Sequence, residues 1–150
     1  MYTAETIAKW FLARNKYDYD LGYGDELISN LKLQKLLYYA QGCVLAITGN
    51  PLFDDEIQAW EYGPVIPTIY QKYREIGKNG IEFNEQFDNS AIDPSIAGVL
   101  EEVYHEFGQY SAWRLVAMTH EETPWLETPK KAVISKESIQ KYFLENYIEQ

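Results

Sequence analysis

The sequence predicts a mainly α protein: a single compact helical domain over residues 1–150, with about six helices and a short two-stranded β element. Three observations carry this. Apolar residues recur at spacings of three and four through most of the chain, a Ser, Thr or Asp stands before nearly every such run, and only Ile57 to Tyr62 alternates instead. A chain of 150 residues, 46% hydrophobic and 24% charged, removes about 68–70% of its unfolded surface from water, so it needs neither disulfide nor metal to build a core.

The first helix begins near Thr3, whose hydroxyl is placed to accept a backbone N–H, and carries Ala4, Ile7, Ala8 and Phe11 on one face until about Asn15. Tyr17 to Gly24 reads as a loop. Ser29 or Asn30 caps the second helix, in which Leu33, Leu36, Leu37, Ala40, Val44 and Ile47 recur before Gly49 stops it. Leu31, Tyr38, Gly42 and Leu45 form a second apolar line, so this helix is expected at the centre, with Gly42 permitting close approach. Lys32, Lys35 and Tyr39 share its most polar edge, which reads as a solvated lysine face or as a partner contact.

Ile57 to Trp60 alternates as a short strand that Gly63-Pro64 stops. Pro67 suits the first turn of a third helix, striped by Ile66, Ile69, Tyr70 and Tyr73 and closed by Gly77 to Gly80. Ile81 to Ser90 is irregular. Asp93-Pro94 opens a fourth helix bearing Ile96, Val99, Leu100, Val103 and Phe107, Ser111 caps a fifth that Thr123-Pro124 terminates, and Ser135 caps a sixth with Ile139, Tyr142, Phe143 and Tyr147 inward. Ala132 to Ile134 extends and pairs with Ile57 to Trp60.

A net charge of −10, acidic in both halves of the chain, argues against a reader of nucleic acid, whose affinity comes largely from Lys and Arg on phosphates. A basic or apolar partner fits. The lone Cys43 forms no internal disulfide and favours a reducing compartment. Glu5 and Lys9 interrupt the first residues, and no run approaches the roughly 18 apolar residues of a membrane span, so the expectation is a cytoplasmic protein without a membrane partner. The 4 Trp, 13 Tyr and 6 Phe supply large area with a polar handle, the material of cores and of protein interfaces alike.

Catalytic patterns are thin. His120-Glu121-Glu122 is half of a helical zinc motif, but position 124 is Pro where a second His belongs. No Gly-rich phosphate loop occurs, and Cys43 lies within a helical pattern. No metal, no cofactor and no catalytic residue is expected.

Three strings do carry a resemblance. Ser29 to Gln41, then Pro51-Leu52-Phe53 leading to Ala59-Trp60-Glu61-Tyr62-Gly63-Pro64-Val65-Ile66-Pro67, then Thr119-His120 to Pro124-Trp125, resemble the Panacea antitoxin domain of SocA-like antitoxins and phage-associated proteins. The resemblance implies a mainly helical fold and an antitoxin that neutralises a cognate protein toxin by binding it; one branch of that family also acts as an adaptor delivering its toxin to a protease. It marks Lys32, Gln34, Lys35, Tyr39, Trp60, Tyr62, Gly63, Pro64, His120, Pro124 and Trp125 as the motif or partner-binding positions. The polar heads at the start of the second helix either meet a partner or hold the Trp60 to Pro67 loop; His120, Pro124 and Trp125 either meet a partner or clamp a helix end to the core. Two rival functions are a DNA-binding autoregulator of a toxin–antitoxin operon, which the charge opposes, and a small hydrolase built on His120.

Overall fold

The computed structural model describes residues 1–24, 26–76 and 78–148. Among the described residues seven α-helices order the chain: α1 Ala4–Asp20, α2 Asn30–Thr48, α3 Pro67–Tyr73, α4 Pro94–Gly108, α5 Ala112–Thr119, α6 Thr123–Leu126 and α7 Lys136–Asn146. One antiparallel hairpin, β1 Gln58–Trp60 and β2 Gly63–Val65, completes the set, with Ala59 opposite Pro64. The protein is mainly α, as the periodicity predicts.

Local chemistry sets the helix starts. Thr3, Ser29, Asp93, Ser111 and Ser135 each accept a backbone N–H from the first turn of α1, α2, α4, α5 and α7, and such a cap stabilises a helix by about 1 kcal/mol. Gly49 ends α2 with φ +79°, a left-handed conformation that only glycine adopts without strain.

α2 is the central element. From Leu33 through Leu45 all its side chains are buried, with α1, α3, α4, α5, α7 and the hairpin packed around it. The close approach expected at Gly42 is to α7: a Cβ there would lie 2.4 Å from the Phe143 ring. On the α4 side the Tyr39 and Phe107 rings stack at 3.9 Å.

Several expectations are corrected. α1 runs on through Tyr17 to Asp20, because Arg14 pairs with Asp18 and Lys16 with Asp20 across single turns, while Tyr104 donates to Asp18 from α4. Thr123-Pro124 does not merely terminate α5; Pro124 sits in the first turn of the one-turn helix α6, which displaces the last helix to seventh place. Gly63-Pro64 does not stop the strand but begins its partner, β2. The expected pairing of Ala132 to Ile134 with Ile57 to Trp60 is present, on the other edge of β1, where Ile134 N donates to Ile57 O at 2.8 Å and Ala59 N to Ala132 O at 3.0 Å. A 3₁₀ turn, Arg74–Ile76, follows α3, and Gly77 lies outside the described residues. Ile47, placed inward by its spacing, is 51% exposed.

Candidate functional site

Ser29 to Gln41, Ala59 to Pro67 and Thr119 to Trp125 meet at one joint, where the hairpin crosses the N-terminal half of α2 and is gripped from the far side by α5 and α6, whereas Pro51-Leu52-Phe53 bonds to Gln41 further along α2. Gln34 holds β2 from α2: its Oε1 accepts from Ile66 N at 2.9 Å, and its Nε2 donates to Asn30 Oδ1, whose own amide donates to Tyr70 O. Lys35 Nζ donates to Pro64 O at 3.1 Å. This lysine is 0% exposed, and burial pushes its ammonium down to about 7. Gly63, at φ +105°, passes so close that a Cβ would meet Lys35 Cε and Thr119 Oγ1 at 2.7 Å.

The opposite grip is aromatic. His120 Nε2 donates to Glu61 O at 2.9 Å and Trp125 Nε1 to Trp60 O at 2.7 Å, while the His120 and Trp125 rings stack at 4.1 Å. Pro124, buried, fixes the α6 start that aims Trp125. Lys131 lies over Trp60 and Lys130 over Trp125 at 4.3 and 4.5 Å, so the turn is covered by cations on indole faces.

Beneath the joint lies a cluster that sequence reasoning missed. Glu122, 2% exposed, accepts the hydroxyls of Tyr38 at 2.8 Å, Tyr39 at 3.0 Å and Tyr147 at 2.5 Å. Burial raises its pKa, and the three phenols partly offset that by bonding the carboxylate. The same burial and the facing carboxylate push all three tyrosines up. The adjacent Tyr38-Tyr39 pair on a helix with apolar lines on two flanks was the available signal, since buried phenols require acceptors.

Lys32, Lys35 and Tyr39 therefore do not share a solvated edge. Lys35 and Tyr39 are fully buried, because the hairpin closes over one and Phe107 over the other; Lys32, half-buried, donates to Gly108 O at 2.7 Å and secures the end of α4. Gln34, Lys35, Gly63, Pro64, His120, Pro124 and Trp125 come together; Lys32 stands apart. Tyr62, at the hairpin tip, is 48% exposed and meets the 61% exposed Trp113 of α5 edge-to-face at 5.1 Å.

The chemistry of the joint is that of holding. His120, central to the hydrolase rival, spends Nε2 on a backbone carbonyl and one ring face on Trp125. Among the described residues no three His, Cys, Asp or Glu side chains group as a metal site, and no helix is long and apolar enough to cross a membrane.

The body is mainly helical, and at the joint Gln34, Lys35, His120 and Trp125 bond inward while the Tyr62 and Trp113 rings stay exposed. Comparison makes the class specific: the model of the family described as antitoxin SocA-like, Panacea domain, matches residues 33–126, and the chain belongs to that family. It is 38% identical over 109 residues to a protein named Antitoxin SocA from Caulobacter vibrioides (strain NA1000 / CB15N), covering 65% of this chain and 58% of that relative. The chain thus spans just over half the length of the curated relative it matches. No solved structure gives a significant match.

Proposed function

We propose that this chain works as one Panacea-like domain and neutralises a cognate protein toxin in the cytoplasm by binding it directly, without catalysis. The observation that carries this reading is the Tyr62–Trp113 pair: two large rings, edge-to-face at 5.1 Å, exposed beside a joint whose other motif side chains are tied inward. Tyr and Trp are the residues on which protein interfaces concentrate their binding energy. In this reading Gln34, Lys35, Gly63, Pro64, His120 and Trp125 set the hairpin so that Tyr62 stands beside Trp113, and the acidic body, net −10, draws in a basic toxin and speeds its capture.

The test is co-expression with the product of the adjoining open reading frame. Rescue of growth and a co-purifying complex are the expected results; a toxic neighbour that is neither neutralised nor bound refutes the reading. The toxin level in the same cells separates occlusion, which leaves it unchanged, from delivery to a protease, which lowers it.

A further inference from the structure

At the C-terminal end of α2 the surface opens into a groove of about 250 Å³ between α2, α4 and the end of α7. Cys43 lies on the groove floor. Val103 and Phe107 complete the floor, and Ile47, Val99 and Ile148 line the walls. Nothing among the described residues covers the exposed Ile47.

The charged side chains lining the groove are both acids. Glu102 and Glu106 are exposed on it, one turn apart on α4, and neither is ion-paired among the described residues, whereas their neighbour Glu101 pairs with Arg14 and His105. α2 and α7 also end here, and neither carries a basic residue in its last turn. Two helix C-termini, each equivalent to roughly half a negative charge, therefore add to the two carboxylates, and among the described residues no Lys or Arg lines the groove.

We propose that this groove receives a basic amphipathic helix of the bound toxin, its apolar face on Ile47, Val99 and Phe107 and its Lys or Arg side chains on Glu102 and Glu106. The proposal rests on the antitoxin reading and names a surface for it. Val99, Val103 and Phe107, like Glu102 and Glu106, repeat every four residues, the spacing at which a second helix presents apolar and charged rows of its own. The walls are helical and offer no free strand edge to which an extended segment adds. A second copy of this chain, itself net −10, brings the wrong sign.

The experiment has two arms. In the first, a synthetic helix of about 18 residues, long enough to be helical in water, with Leu on one face and Lys on the other, is added to the full chain carrying Ile47→Cys at the exposed lining position and Cys43→Ala at the buried one, and the alkylation rate of the introduced thiol is followed. The Lys peptide is expected to slow labelling about tenfold while its Glu-for-Lys counterpart does not. The E102K/E106K variant is expected to lose that protection, and a charge-matched E121K/E127K variant, altered at exposed acids outside the groove, to keep it. Circular dichroism and Tm confirm that both variants fold.

In the second arm the adjoining gene product is titrated onto the same proteins. An affinity about tenfold weaker for E102K/E106K than for E121K/E127K supports the groove. Equal affinities, absence of thiol protection by the Lys peptide, or protection arising without peptide through self-association overturns it, while wild-type neutralisation leaves the antitoxin reading standing. A wild-type chain that never binds the toxin overturns both.

Discussion

Lys35 ties the joint to solution conditions. Its ammonium is depressed to about 7 in the fold but titrates near 10.4 in the unfolded chain, so between those values the unfolded chain holds more protons and stability rises with pH. Urea midpoints are expected to climb from pH 7 to 9, by up to about 1.4 kcal/mol per pH unit. Lys35→Met is expected to flatten that climb, and a wild-type midpoint independent of pH in this range refutes it. Glu122 acts with the opposite sign: its carboxyl is raised in the fold, so its contribution is full below its ordinary value of 4.5 and is lost as pH rises through the folded one. Glu122→Ala leaves three tyrosine hydroxyls without their acceptor and is expected to cost about 3 kcal/mol, lowering Tm by roughly 10 °C. Neither role was legible beforehand. Spacing placed Lys35 beside Lys32 on a polar edge, and Glu122 read as half of a metal motif, because burial of either side chain is decided by the hairpin, α4 and α7, which lie far away in sequence.

At the scale of elements, two glycines decide how parts meet. A Cβ on Gly42 would lie 2.4 Å from the Phe143 ring, so Gly42→Ala forces α2 and α7 apart and is expected to cost about 1–3 kcal/mol. Adding Phe143→Leu should recover part of that loss in a double-mutant cycle by urea unfolding; no recovery counts against the close approach. Gly63→Ala meets both a φ of +105° and Cβ contacts at 2.7 Å to Lys35 and Thr119, so it is expected to disturb the hairpin and toxin binding together. The Gly42 contact was readable from the sequence because a lone glycine on an apolar line has few other uses there. The extension of α1 was not: the Tyr17 to Gly24 composition reads as loop, and the ion pairs and the Tyr104 bond that extend the helix to Asp20 depend partly on α4.

For the whole molecule, charge and exposed rings act together. Double substitution of Tyr62 and Trp113 by Ala is expected to weaken toxin binding by at least about 2 kcal/mol, the scale of an interface hot spot. Tm should change little, since both rings are exposed. With a net charge of −10, association with a basic toxin should slow as salt is raised while dissociation changes less; stopped-flow rates that ignore ionic strength refute electrostatic capture. The sequence alone determined the helical class, the caps at Thr3, Asp93, Ser111 and Ser135, the central place of α2 and the family, because caps, periodicity and motif spacing are written in neighbouring residues. Only the tertiary structure decided that Lys35, Tyr39 and Glu122 lie inside, that Ser29 to Gln41, Ala59 to Pro67 and Thr119 to Trp125 form one joint, and that Tyr62, Trp113 and Ile47 remain outside. Those outcomes depend on which distant element covers a given face, and the period of one helix carries no information about its neighbours.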